Sequence, residues 1–478
     1  MSLLAAPLIV PWIRLDRDAG AEEEAALRRA REPWCAGFCL FGGEADAVAR
    51  LTARLRAAAG RPLFVASDME RGAGQQVRGL RVLPDAALWG LAASPAEIEA
   101  FGALTARDAR SVGVDVLFAP VLDVRSEPSN PIVGNRAFGW DPDRVATAGA
   151  AFVRGALAGG CAPTGKHFPG HGPTASDSHD AVPSVDTSAA HLAARDLVPF
   201  AASFVAGCPA VMTAHVAYPK IDPSGAIATF SAPILRRLAD VGGGDALVFT
   251  DALLMAGAAT PGGEVEAARL ALRAGCHVLL IPSDPERLAA EVLDGADAGL
   301  ASAVERAAAR VRAFVAGIAR LSVPTAGAMA GLETTPGRVA DRALRLVGVH
   351  AVPPLRTGDC VWVVDDDDTT DRGEVLVRRG RAAGVEVVVL RVRRDAPAPA
   401  LPDGAAPGAL VLMASVRAWK GDPVCSRAAS DLVVRAAARA AGTTSVLSLA
   451  PRPLLGSLHV PATGPDVETA IADRLFPV

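Results

Sequence analysis

A chain of 478 residues is longer than one ordinary core organises, so two domains are expected, one with room for a barrel of roughly 250 residues. Half of it is apolar (51%), and its 46 glycines and 36 prolines follow no repeat, which excludes low-complexity and fibrous classes. A net charge of −4, with acidic and basic residues interspersed, argues against a nucleic-acid partner, which would need a basic surface.

The first ten residues are apolar but short, carry no basic leader and run into Pro11 and Arg14, so they read as a first strand and not a signal peptide. No stretch approaches ~18 uninterrupted apolar residues, and no membrane span is expected. From residue 1 to 325, short β-rich runs alternate with longer Ala/Arg/Leu/Glu stretches. The candidate strands are 8–15, 37–41, 63–67, 116–120, 162–166, 210–215, 246–250 and 277–281. Helical periodicity marks 44–59, 95–112, 142–158, 188–206, 263–274 and 301–321. Eight strands, each followed by a crossover helix, predict a (β/α)8 TIM barrel, with its chemistry at the carboxyl ends of the strands. Asp68, Asp123, Lys166, His167, His215, Asp251 and Asp284 all fall at such ends.

Residues 322–336 are rich in Pro, Gly, Thr and Ala and read as the exit into a linker spanning 326–356. A second α/β pattern fills 357–478, with strand-like runs at 360–364, 385–392, 409–413 and 445–449 and helical runs at 373–383 and 426–441. It predicts a smaller α/β sandwich domain built on a parallel sheet. The four aspartates 365–368 read as a solvated strand edge, since no spaced partner ligands follow them, and no metal or organic cofactor is expected. Seven cysteines, Cys35, Cys39, Cys161, Cys208, Cys276, Cys360 and Cys425, are odd in number and mostly sit in apolar runs. Buried free thiols in a reducing cytoplasm account for them better than disulfides or zinc.

The richest stretch is 166–179, Lys-His-Phe-Pro-Gly-His-Gly-Pro-Thr-Ala-Ser-Asp-Ser-His, which follows a predicted strand. Loops of this kind react or bind because a rigid scaffold positions them. Within it, Asp177 and His179 stand two apart, so the carboxylate can hold one imidazole nitrogen while the other faces a substrate, as a proton shuttle requires. Two loop residues satisfying turn hydrogen bonds are the plainer alternative. In 247–255 a buried strand ends in Asp251 and then turns helical. Asp251 is either the N-cap of that helix or a carboxylate aimed into the barrel mouth. Asp68, Asp123 and Arg136, in 67–72, 120–123 and 135–139, add the charged groups that hold a polyhydroxylated ligand.

Taken together, the 166–179 stretch, Phe249-Thr250-Asp251, Pro120-Val121-Leu122-Asp123 and Met212-Thr213-Ala214-His215-Val216 resemble glycoside hydrolase family 3, in its bacterial β-N-acetylglucosaminidase branch. The resemblance runs through most of 1–325 in the right order. It implies that Asp251 is the nucleophile and His179 the general acid/base, partnered by Asp177. It further implies that Asp68, Arg136, Lys166 and His167 bind the sugar, with Asp123 and His215 lining the same mouth. The family's Asp-x-Glu-Gly-Gly-Arg segment departs here to Asp68-Met69-Glu70-Arg71-Gly72, so a further sugar-binding arginine is either Arg78 or missing.

The implied reaction is retaining hydrolysis of terminal N-acetylhexosamine from cell-wall or chitin-derived oligosaccharides, as in peptidoglycan recycling. An imidazole shuttle does not repel an anionic nucleophile as a carboxylate would, so β-N-acetylglucosaminide phosphorolysis stays open. So do a β-glucosidase and a non-catalytic sugar-binding homologue. The expected partner is an oligosaccharide or glycoside, with neither nucleic acid nor membrane, and a homodimer stays open. For 357–478 the open roles are covering the barrel mouth, aiding dimer formation and adding stability.

Overall fold

The computed structural model describes residues 6–16, 19–127, 130, 132–174, 182–323, 331–346, 355–356, 359–366, 373–392, 399–401, 409–414, 445–449, 458–460 and 465–475. Packing divides the chain into two units. Residues 1–81, 98–128 and 140–332 form the first, and 82–97, 129–139 and 333–478 the second.

In the first unit, β1 (Ile9–Val10) and β2 (Trp12–Arg14) are one strand broken at Pro11, whose nitrogen has no hydrogen to donate. Next come β3 (Gly37–Phe41), β4 (Phe64–Ser67), β5 (Val116–Leu117), β6 (Ala162–Phe168), β7 (Ala210–Thr213) and β8 (Leu247–Phe249), in that spatial order and all parallel. Then β9 (Leu279–Leu280) pairs with β1, and Phe249 bridges to Val278 just ahead of β9. The ladder thus returns to its start. Among the described residues this gives eight parallel strand positions, each at one of the predicted runs, in a (β/α)8-type ring.

The period-two pattern of the strands sorts their side chains. Leu247, Phe249, Ala210, Met212, Val10 and Leu280 join one cluster, to which every part of the ring contributes. Val248, Val211, Ile9 and Leu279 join the other, against Leu272 and Leu300 of the surrounding helices. In the first cluster Phe249 meets Phe64, Phe118 and Phe314 edge-on at centroid distances of 5.9, 5.3 and 6.1 Å. Burying each such ring contributes about 1.5–3 kcal/mol.

The helices Ala45–Ala59, Pro95–Ser111, Pro142–Ala158, Gly263–Ala274 and Ala298–Ile318 occupy the periodic stretches. The stretch 188–206, expected as one helix, is two, Ala189–Ala194 and Val198–Val205. Pro199 sits in the first turn of the latter, where its missing N–H costs nothing. The helix expected directly after Asp251 does not form there. Turns and the 3-10 segment Ala256–Ala258 come first, and the α-helix begins at Gly263.

The second unit holds a parallel sheet of β10 (Cys360–Asp366), β11 (Glu386–Arg391), β12 (Ala409–Ala414), β13 (Ser445–Leu449) and β14 (Leu458–Val460). Its spatial order is β11-β10-β12-β13-β14. Val361, Trp362, Val363 and Val364 are all buried, as a strand covered on both faces requires. Within the stretch read as linker lies the helix Thr335–Leu346, whose stripe of Val339, Ala340, Ala343 and Leu344 is buried. It packs on the helices Ala86–Ala92 and Pro465–Leu475 of the same unit. The predicted helix 426–441 lies outside the described residues, as do Asp367, Asp368 and Cys425. Cys35, Cys39, Cys161, Cys208, Cys276 and Cys360 are free and buried. Among the described residues no group of three His, Cys, Asp or Glu side chains is placed to hold a metal, and no helix is long and apolar enough to cross a membrane.

Candidate active site

Because all strands of the ring run in one direction, the polar residues that end them gather at one end. β6 is the most elaborate. Beyond β5 its pairing continues through Thr164 N to Ala119 O (2.9 Å) and Lys166 N to Pro120 O (3.1 Å), and a register shift separates Gly165 from Phe168 on the β7 side. Lys166 is buried, with a side chain only 2% exposed, and its Nζ lies 2.6 Å from both Asp68 Oδ1 and Glu70 Oε1. A buried ammonium is tolerated when carboxylates replace its water. Asp68 follows β4 directly, so the pair Asp68–Lys166 meets across the end of β5, which lies between β4 and β6. Glu70 is a partner that residue pattern alone did not single out. Its signal was its place two residues past Asp68.

Asp123 collects the next residues along. Its Oδ2 is 2.7 Å from His167 Nδ1, and its Oδ1 accepts from the backbone N–H of His167 (3.2 Å) and of His171 (2.6 Å). Burial works to raise the Asp123 pKa, but the His167 ring, its hydrogen bond and His171 together outweigh it and hold the carboxyl below its usual range. A carboxylate only accepts, so His167 Nδ1 carries a hydrogen and the tautomer is fixed. His171 Nδ1 is 2.8 Å from Thr174 Oγ1, which itself donates to His171 O (2.9 Å). Burial pushes the His171 pKa down to about 4, His167 pushes the same way, and Asp123 and Asp251 oppose. His171 is therefore neutral at pH 7, and Asp251 at the end of β8 lies within electrostatic reach of the β6 loop.

Behind this loop, Tyr218 Oη donates to Gly170 O. Asp196 lies against Gly170, whose φ of +140° leaves no room for a side chain: a Cβ there would stand 2.9 Å from Asp196 Cβ. Burial raises the Asp196 pKa to about 6, against the opposing pull of Arg195.

Asp251 accepts from Ala252 N at 2.8 Å and caps no helix, which removes one of the two readings its sequence allowed. His215, past the end of β7, is fully buried. Its Nδ1 is 2.8 Å from Thr229 Oγ1 and its Nε2 is 3.1 Å from Ala252 O. Arg136 belongs to the second unit, in the 3-10 segment Gly134–Arg136, where it donates to Ile132 O at 3.2 Å. Arg78 pairs with Glu44 at 2.5 Å, and Asp284 caps the helix Pro285–Glu291 through Arg287 N. Asp177 and His179 lie outside the described residues.

Comparison with known proteins shows the family. The domain described as "Glycosyl hydrolase family 3 N terminal domain" matches residues 42–314. A "Beta-hexosaminidase" of Thiobacillus denitrificans is 40% identical over 278 residues, 56% of this chain and 76% of that protein. A glycoside hydrolase family 3 beta-N-acetylglucosaminidase structure from Paenibacillus sp. str. FPU-7 shares the fold, with a TM-score of 0.82 at 23% identity over 100% of this chain and 96% of that one. NagZ from Neisseria gonorrhoeae, solved with N-trifluoroacetyl-D-glucosamine, gives 0.55 at 29% identity over 70% of this chain and 97% of its own. A chain with a (β/α)8-type ring, charged strand ends and these relatives is a glycoside hydrolase, and it belongs to glycosyl hydrolase family 3.

Proposed function

We propose that the protein is a retaining exo-β-N-acetylglucosaminidase that removes terminal N-acetylhexosamine from cell-wall or chitin-derived oligosaccharides. What supports this reading is Asp251 at the end of β8, within electrostatic reach of His171 in the loop after Lys166 and His167, in a chain 40% identical to a protein named beta-hexosaminidase. The six cysteines among the described residues, all free and buried, fit work in a reducing compartment, the cytoplasm.

In the first step the Asp251 carboxylate attacks C1 and the glycosidic C–O bond breaks, while the His179 imidazolium, paired with Asp177, gives its proton to the departing oxygen. In the second, neutral His179 takes a proton from water as that water attacks C1. The ester to Asp251 breaks and the carboxylate returns. In this reading Lys166, held by Asp68 and Glu70, and His167, held by Asp123, donate to sugar hydroxyls. Asp68 adds a further contact to the ring.

Hydrolysis of p-nitrophenyl N-acetyl-β-glucosaminide by the wild type, Asp251→Ala and His179→Ala tests the reading. The wild type turns over, and loss of the nucleophile costs about a thousandfold or more in kcat. Equal turnover of the glucoside makes it a β-glucosidase. N-acetylglucosamine 1-phosphate formed only in phosphate buffer makes it a phosphorylase, and sugar binding without turnover makes it a binding module.

A further inference from the structure

His215 stands at the carboxyl end of β7 with other polar residues, yet both of its ring nitrogens are engaged by protein atoms. The hydrogen positions follow from what each partner is able to do. Ala252 O only accepts, so Nε2 carries a hydrogen and donates across 3.1 Å. In the neutral ring Nδ1 then accepts the hydroxyl hydrogen of Thr229, 2.8 Å away, in preference to Ala214 O, which lies farther from that hydroxyl at 3.2 Å. Thr229 Oγ1 in turn lies 2.8 Å from the hydroxyl of Thr213, which is left to donate to it. The bonds run one way, from Thr213 through Thr229 and His215 to Ala252 O. Thr213, His215 and Thr229 are each 0% exposed, so the bonds among them do not compete with water, and the one to Ala252 O is part-buried.

Ala252 is the residue after Asp251, and its N–H donates to Asp251 Oδ1 at 2.8 Å. The same short loop is tied on its other side to β9: Leu253 N donates to Leu280 O (2.9 Å) and Leu254 N to Ile281 O (3.2 Å). No α-helix begins until Gly263, so the loop that carries Asp251 is framed by these ties and not by a helix. Ile281 accepts its bond with a φ of +48°, in the left-handed region that a β-branched residue rarely enters.

We propose that His215 is a positioning residue that aims Asp251 by holding the Ala252 carbonyl, with Thr229 and Thr213 fixing its ring, and that it is not a sugar ligand. The proposal rests on Asp251 being the nucleophile. It replaces the place among the residues lining the sugar-binding mouth that the family resemblance implies for His215, since a nitrogen that donates to Ala252 has no second hydrogen to offer a hydroxyl. A carboxylate displaced by about 1 Å from its line of attack loses about a hundredfold in rate, whereas the affinity for the sugar is set elsewhere. His215 therefore governs kcat and leaves KM nearly alone.

The test pairs steady-state kinetics on p-nitrophenyl N-acetyl-β-glucosaminide with the inhibition constant of N-acetylglucosamine. The amide nitrogen of a glutamine side chain reaches the place of Nε2, and an asparagine reaches only that of Nδ1. His215→Asn is expected to lose about a hundredfold in kcat with KM and the inhibition constant within about twofold, while His215→Gln recovers most of the loss. Thr229→Val, which keeps the histidine but removes the hydroxyl, falls between them, and Thr229→Ser stays near wild type. Wild-type kcat in His215→Asn overturns the proposal, and so does a loss that appears in KM and the inhibition constant. Should His215→Asn fail to fold, Thr229→Val decides, with unchanged kcat overturning it. Trapping the wild-type glycosyl-enzyme with a slow fluorosugar and locating the label tests the nucleophile alone. A label away from Asp251 defeats that reading and this one with it, whereas a label on Asp251 beside an unaffected His215→Asn defeats only this one.

Discussion

His167 Nδ1 sits 2.7 Å from Asp123 Oδ2, and the other oxygen of the same fully buried carboxylate takes the backbone N–H groups of His167 and His171. One side chain from the loop after β5 thereby fixes both a ring and the local path of the loop after β6. Removing it strands two buried backbone donors and an imidazole, at about 1–3 kcal/mol for each group left unsatisfied.

Asp123→Ala is therefore expected to lose about 3 kcal/mol or more of unfolding free energy in urea titrations at pH 7. Asp123→Asn keeps one acceptor for the backbone groups and loses less. In both variants kcat/KM falls, because His167 is no longer held in one tautomer. A stability of Asp123→Ala within error of wild type would show that the loop holds itself.

Stability against pH reads two buried groups that act in opposite senses. The folded pKa of Asp196 is raised to about 6, so its proton is bound more tightly in the folded chain, and stability falls as pH rises towards 6. The folded pKa of His171 is lowered to about 4, so the unfolded chain binds the proton more tightly. Stability from His171 is present near neutrality and lost as pH falls towards 4. His277, also lowered to about 4 by burial and by Arg310 and Arg306, acts in the same sense as His171. Asp196→Asn should steepen the rise in stability between about pH 4 and 6, and His171→Gln should flatten it. Urea midpoints measured at half-unit intervals check both slopes. Identical slopes in all three proteins would refute the assignment.

Gly172 tests how closely the His-rich loop is laid against its neighbour. A Cβ at this position would stand 1.6 Å from Val124 O, a backbone atom that cannot swing aside. Gly172→Ala must then displace the loop or the 122–127 segment, costing about 2 kcal/mol or more and reducing kcat/KM. Gly60→Ala is the control for adding a methyl group at a glycine, since nothing lies within 4 Å of a Cβ there; its cost comes from the φ of +59° alone. Thermal denaturation and turnover, compared between the two, separate collision from backbone strain.

Much of the barrel was legible in the residues because its signals are local. A strand of the ring is a short apolar run bounded by turn residues, and each of the eight runs lies where a strand or closing pair forms. The charged residues ending those runs were legible for the same reason: a lysine or aspartate in an otherwise apolar run is conspicuous, as Lys166 and Asp251 are. Asp177 and His179 belong to the same reading but lie outside the described residues.

What a residue at a strand end does there was not legible. Sequence placed Asp68, Asp123, Lys166, His167 and His215 at strand ends, but it did not pair Lys166 with Glu70, nor turn both nitrogens of His215 towards protein atoms. Nor did it indicate that 82–97 and 129–139 would pack with 333–478. Periodicity and turn chemistry act over a few neighbouring residues, so the sequence by itself determined the strands and their polar ends. Partners such as Lys166 and Glu70 are separated by most of a hundred positions. Their meeting was decided only when closure of the ring brought those ends together.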